Sequence, residues 1–168
     1  MENNPYLGAD REILNEVMRE AESYLAAQLQ SGIAADARAI QFVSVMAAAS
    51  ALIAGAGFTL ISDQNFVLGG PALLVAFGFM IAMGLASFSA RPTDFFYCGN
   101  APSQWKQDIR KNLSISQSIA SQLVNYDDQI MFNRSILMNN SRCMKWALVF
   151  SWGSVAGGAV YAGIGLTN

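Results

Sequence analysis

Few side chains in this sequence can do chemistry, and their spacing limits what that chemistry can be. There is no histidine, which removes the commonest general base and the commonest metal ligand together. Cys98 and Cys143 are too few and too far apart for a zinc site or a CxxC redox pair. The densest run of reactive types is RPTDFFYCGNAPSQW, residues 91–105. There Arg91, Asp94, Tyr97, Asn100 and Trp105 supply a cation, a carboxylate, a phenol, an amide and an indole, a set suited to an interfacial ligand pocket. The same run, with Phe95 and Phe96, also suits an aromatic belt at a membrane surface followed by turn residues. Tyr126, Asp127 and Asn133 form a second group that reads either as a small polar site or as part of a helix-packing seam. Neither group contains a nucleophile beside a base. No catalytic, cofactor-binding or metal-binding residue is therefore assigned, no cofactor is expected, and an enzyme is not expected.

The elements that position these residues are set by three uncharged apolar runs. FVSVMAAASALIAGAGFTLI (42–61) and FVLGGPALLVAFGFMIAMGLASFS (66–89) are separated by Ser62, Asp63, Gln64 and Asn65 alone. About twenty residues at 1.5 Å rise cross about 30 Å of hydrocarbon, so the pair reads as a transmembrane helical hairpin. Both runs are apolar on every face, which favours lipid over a soluble core. A third such run occupies 146–167. The composition agrees, with 53% hydrophobic and 13% charged residues, against about 25% charged in a soluble domain. A net charge of -2 gives no footprint for nucleic acid. The expected fold is an all-α membrane protein of one unit: an amphipathic helix (9–39), spans at 40–61, 66–90 and 146–167, and a cytoplasmic aromatic loop and long helix (91–145).

Residues 1–8 read as a loose start, with Asn3, Asn4, Pro5 and Gly8 opposing regular structure and no signal-peptide pattern. Asp10 is positioned to cap the helix that follows. Leu14, Val17, Ala21, Tyr24 and Gln28 recur at helical steps, either as half of a coiled-coil-like pair or as an ordinary surface helix. That helix can run into the first span, with Gly32 as its one interruption. Pro71 is read in the first turn of the second span, where a missing N–H does no harm.

In the long helix, Ile119, Leu123, Tyr126, Ile130, Asn133 and Leu137 form a heptad seam, and Asn133 on it can fix register or oligomer state. An unbroken helix over 102–145 would be about 65 Å long, whereas 91–101 reaches at most about 36–40 Å. The helix must tilt, kink or break. NLSISQS (112–118) is the weakest helix former, and Asn139-Asn140-Ser141 is the next.

Small residues recur in rows along the spans: Ala47, Ala51 and Gly55 in the first, Gly78 and Ala82 in the second, Gly153, Gly157 and Gly158 in the third. Such rows let helices approach closely, within one chain or between copies. All ten Lys and Arg lie before the first span or between the second and third. The positive-inside rule puts the N-terminus and 91–145 in the cytoplasm and the C-terminus outside.

A cytoplasmic helix, a tight two-span hairpin and a long helix carrying YDDQIMFN (126–133) together resemble the SLATT and Pycsar-type two-span effector modules of bacterial defence systems. The resemblance covers roughly 21–145, and this chain adds a third span. It implies a bacterial inner-membrane protein whose oligomers perturb the bilayer. Two functions are expected on this footing: a self-associating membrane effector or pore-like assembly, or an accessory or scaffold subunit docking its cytoplasmic helices on a larger membrane complex. The expected partners are the lipid bilayer, further copies or other membrane subunits.

Overall fold

A computed structural model of the chain describes residues 4–167. The first three residues of the expected loose start, and Asn168, lie outside the described residues. Among the described residues the chain is helical, with no strand: α1 (Arg11–Ser62), α2 (Phe66–Ser89), a 3-10 turn (Pro102–Trp105), α3 (Lys106–Arg110) and α4 (Ile115–Thr167). α1, α2 and α4 are each long and apolar enough to cross a membrane, which points to an integral membrane protein.

Local chemistry explains where the helices start and stop. The Asp10 side chain accepts the Glu12 N–H at 2.8 Å and caps α1. α1 has 52 residues and continues through Gly32. It ends at a left-handed Gln64 (φ 60). There Asn65 N–H bonds back to Leu60 O and Gln64 N–H to Ile61 O, a Schellman closure. Asn65 at once starts α2, its side chain accepting from Leu68 N–H at 3.3 Å. One asparagine thus closes one helix and opens the next, which is why the hairpin turn needs only three non-helical residues. Pro71 lies inside α2 and not in its first turn, because Phe66 already starts the helix.

The break between α3 and α4 falls at 111–114, in the weak stretch marked by the sequence. Asn112 takes φ 50, Leu113 N–H returns to Asp108 O and Asn112 N–H to Ile109 O, a second Schellman closure. Ser114 and Gln117 then form a reciprocal capping box. Gln117 N–H donates to Ser114 Oγ at 3.3 Å, and Ser114 N–H donates to Gln117 Oε1 at 2.9 Å. Asn139, Asn140 and Ser141 stay helical within α4.

The chain forms two compact units. Unit 1 comprises residues up to Ile33 together with Thr93–Leu137. Its small apolar core is Leu14, Ala120 and Leu123, surrounded by Tyr6, Ala9, Val17, Met18, Ala21 and Ile119. Leu25 and Gln28 are also buried, whereas Tyr24 is exposed, so α1 turns a slightly rotated face inward from the one its spacing suggested. Residues 4–8 are docked rather than loose. Asn4 Nδ2 donates to Ala120 O at 2.9 Å, Asn4 Oδ1 accepts Tyr6 N–H, and Tyr6 Oη donates to Asp127 at 2.6 Å.

Unit 2 comprises Ala34–Pro92 and the chain from Met138. α2 touches both other helices there. Ser50 Oγ of α1 donates to Ala76 O at 3.0 Å, and Ser89 Oγ of α2 donates to Asn140 O of α4 at 2.9 Å. Small residues mark the closest approaches. A β-carbon on Gly69 would sit 2.6 Å from Ile61 Cγ1 and 3.0 Å from Gly57 O. One on Gly78 would collide with Ser154 Oγ, and one on Gly158 with Val75 Cγ2.

This contrast gives a paired prediction. Gly69→Ala should destabilise the hairpin by about 1–3 kcal/mol, the usual range for forced overpacking. Gly70→Ala, where a β-carbon meets nothing within 4 Å, should be neutral or stabilising by up to about 1 kcal/mol through helix propensity. Reversible SDS unfolding from mixed micelles reads both.

Candidate functional site

The residues that sequence singled out for chemistry lie mostly in the connection after α2 and on the α4 face beneath it. Pro92 stops α2, and 93–101 then runs without regular structure. Such a segment must find partners for its backbone polar groups. α4 supplies them. Asn133 is fully buried, and its carboxamide pairs with both backbone groups of Phe96: Oδ1 accepts the Phe96 N–H at 3.0 Å and Nδ2 donates to Phe96 O at 2.9 Å. The Phe96 ring packs edge-on to Phe132, centroids 5.3 Å apart. Three residues on, Gly99 takes φ +94, open to glycine at little cost, and its N–H donates to Tyr126 Oη at 3.3 Å. Asn100 Nδ2 donates to Gln122 Oε1 at 2.7 Å.

α1 completes the arrangement. Tyr126 Oη donates to Glu22 Oε1 at 3.3 Å, and Gln28 Nε2 donates to the Ile130 carbonyl at 3.1 Å. Gln28 Oε1 is buried without a hydrogen-bond partner. Phe95 covers Gly32, where a β-carbon would stand 3.2 Å from the ring. Glycine at position 32 therefore admits an aromatic ring and does not end the helix. Burial pushes the Tyr126 phenol above its usual range, with Glu22 adding to the effect and the Gly99 N–H opposing it. The hydrogen bond to Asp127 likewise holds the Tyr6 phenol high.

Of the five residues considered for an interfacial pocket, Asn100 is pinned to Gln122 and Trp105 is half-buried in the 3-10 turn. Asp94 and Tyr97 are exposed. Arg91, in unit 2, sets its guanidinium 4.2 Å above the Phe88 ring. On the seam, Leu123, Tyr126 and Asn133 are buried, and Ile119, Ile130 and Leu137 are half-buried. Sequence reasoning missed Glu22 and Gln122, the partners of Tyr126 and Asn100. Gln122 stands one turn before Tyr126 on the α4 face, so its position was readable even though its partner was not.

The small residues of the spans divide sharply. Gly78, Ala82 and Gly158 are buried against neighbouring helices. Ala47, Ala51, Gly55, Gly153 and Gly157 are exposed. A β-carbon on any of the three glycines in that second set would meet nothing within 4 Å.

No family model matches the chain, and neither a curated protein nor a solved structure gives a match.

Two predictions come from the polar clasp. Asn133→Leu leaves the Phe96 N–H and carbonyl unpaired and should cost about 1–3 kcal/mol per buried group left unsatisfied. Amide exchange at Phe96 should accelerate while exchange along α2 stays unchanged. The second concerns pH. A phenol whose folded pKa is raised gives stability that is complete below its ordinary value of about 10 and is lost as pH rises through the raised value. The unfolding midpoint of the wild type should therefore fall steeply above about pH 10. Tyr126→Phe should be weaker at neutral pH by about 1 kcal/mol but show a shallower alkaline fall. Denaturant melts across pH measure both.

Proposed function

We propose that this chain is a small multi-pass protein of the bacterial inner membrane that self-associates and acts as a non-enzymatic membrane effector or pore-like assembly. One observation carries the reading: the open small-residue faces of α1 and α4. Glycine inside a helix is about 1 kcal/mol worse than alanine, yet at Gly55, Gly153 and Gly157 an added β-carbon would meet nothing within 4 Å. Close approach of another helix gives such positions a use. Next to them, Trp146, Val149, Phe150, Gly153 and Ser154 line a shallow hollow of about 380 Å³, shaped to take side chains from a second helix. The seam of α4 is less available for assembly, because Leu123, Tyr126 and Asn133 are buried within unit 1.

The membrane orientation in this reading follows the cations, with the N-terminus and 91–145 on the cytoplasmic side and the C-terminus outside. The layout shared with SLATT and Pycsar-type modules supports an output exerted on the bilayer. Assembly brings the uncharged spans of several copies together, and the disturbance of lipid packing is the activity.

Mass measurement of the purified chain in native detergent, together with membrane-potential recording on expression, tests the proposal. The wild type should form homo-oligomers and depolarise cells. Gly157→Leu should shift the population to monomer and abolish depolarisation without unfolding the chain, because position 157 is open. Gly158→Leu should instead unfold it. A wild-type monomer that leaves the potential intact overturns the proposal. If that monomer co-purifies with unrelated membrane subunits, the scaffold role replaces it.

A further inference from the structure

The 3-10 turn and α3, in unit 1, have two unlike faces. Gln104, Gln107 and Asp108 share a hollow with Gln122, Asn125 and Gln129 of α4 and so form the inner face. At about 100° per residue, Trp105, Lys106, Ile109 and Arg110 fall on the side opposite to that face. This outer face is open. Ile109 is 71% exposed, Lys106 and Arg110 are exposed, and Trp105 is half-buried. Lys111 follows at the end of the helix and is exposed as well. Among the described residues the ion pairs are those of Arg19, so none of these three cations is matched by a carboxylate. Asp108, the one acid between Pro102 and Ser114, has its Oδ2 sealed from solvent on the inner side.

An exposed isoleucine beside an indole, flanked by unmatched cations on long apolar stems, is the chemistry of a surface that lies at a lipid headgroup boundary. Anionic headgroups match the charge, and the indole suits the depth where apolar and wet layers meet. A nucleic acid would engage the cations but leave Ile109 in water, and three cations make a small phosphate footprint. The covalent chain points to lipid as well. α2 ends at Ser89, and 91–101 reaches at most about 36–40 Å. Lipid around α2 therefore stays within range of α3, and at such an effective concentration a weak contact suffices. We propose that the outer face of the 3-10 turn and α3 docks on an anionic phospholipid surface. Ile109 and the Trp105 indole enter the headgroup layer, Lys106 and Arg110 meet lipid phosphates, and Lys111 adds to the local positive field. The proposal rests on α2 lying in a bilayer and is independent of self-association.

The test uses the full chain in lipid nanodiscs, with Cys98→Ser and Cys143→Ser and an environment-sensitive fluorophore on Ile109→Cys. The discs hold phosphatidylcholine alone or phosphatidylcholine with a third of phosphatidylglycerol. In the anionic discs the emission should shift to the blue and lose most of its intensity to nitroxide-labelled acyl chains. In the neutral discs both responses should be absent, and high salt should reverse them in the anionic discs. Lys106→Gln combined with Arg110→Gln should bring the anionic-disc signal down to the neutral-disc level; both side chains are exposed, so the fold is retained. Equal quenching in both lipids, no quenching in either, or an unchanged signal in the double variant overturns the proposal. Self-quenching between labelled copies in neutral discs assigns the face to a second copy and overturns it too. A chain that does not enter discs overturns the proposal together with the membrane assignment of α2, whereas a chain that enters with its probe in water overturns the docking alone.

Discussion

For helices as apolar as α2 and the second halves of α1 and α4, the governing constraint is that apolar burial supplies no glue. Lipid tails solvate a leucine as well as another leucine does. Contact must come from dispersion at close range and from hydrogen bonds between helices. α2 meets that constraint on both flanks. Gly57 and Gly69 bring the first hairpin arm within backbone contact of the second, and Gly78 and Gly158 do the same between α2 and α4. Each flank also carries a hydroxyl bond to a helix carbonyl, Ser50 to Ala76 and Ser89 to Asn140. Where no small residue stands, large side chains such as Leu52, Phe58, Leu74 and Phe77 point outward. They cover the surface without holding it together.

Unit 1 solves a different problem. Its apolar core is three small or medium side chains with a partial shell, and each fully buried leucine contributes only about 1.5–3 kcal/mol. What fixes the irregular 93–101 segment is polar: one carboxamide matching one peptide unit at Asn133 and Phe96, and one phenol bridging α1 and the Gly99 turn. Buried polar groups of this kind specify an arrangement because their misplacement is costly. A seam position that sequence could assign to register between two helices turns out to set the path of a loop.

Regular periodicity was legible, and contact across sequence distance was not. The tight turn and the helix break were readable because both fall in short polar, glycine-free stretches, where the chain closes a helix at left-handed Gln64 and Asn112. The capping box at Ser114 and Gln117 was a stronger signal than low propensity and sharpens the reading of that break. Burial of Leu123, Tyr126 and Asn133 followed from the heptad. The pairing of Asn133 with Phe96 did not, since nothing local marks residues 96 and 133 as neighbours. Rows of small residues were equally visible in all three spans. Which glycines were occupied was not, as the adjacent Gly157 and Gly158 show: one faces open space and the other Val75. Composition marked residues 1–8 as irregular; the described ones, 4–8, form a turn that Asn4 and Tyr6 anchor through long-range bonds that composition does not encode.

The cations flanking the apolar runs narrow how the spans can act. Arg38 turns its Nε back onto the Ala34 carbonyl at 3.1 Å, and Arg91 lies over Phe88 at the close of α2. Both are engaged with their own helix beside an apolar run, where a long cationic side chain can keep its charge in water. The runs between them contain no Asp, Glu, Lys or Arg, so no ionisable side chain lies along them to relay a proton or hold an ion. The proposed activity, exerted through assembly, draws instead on the surfaces of these helices. The part of that surface whose shape is unexplained by the chain's own packing is the open small-residue face of α1 and α4. Function carried by assembly is the reading that gives those residues a physical role.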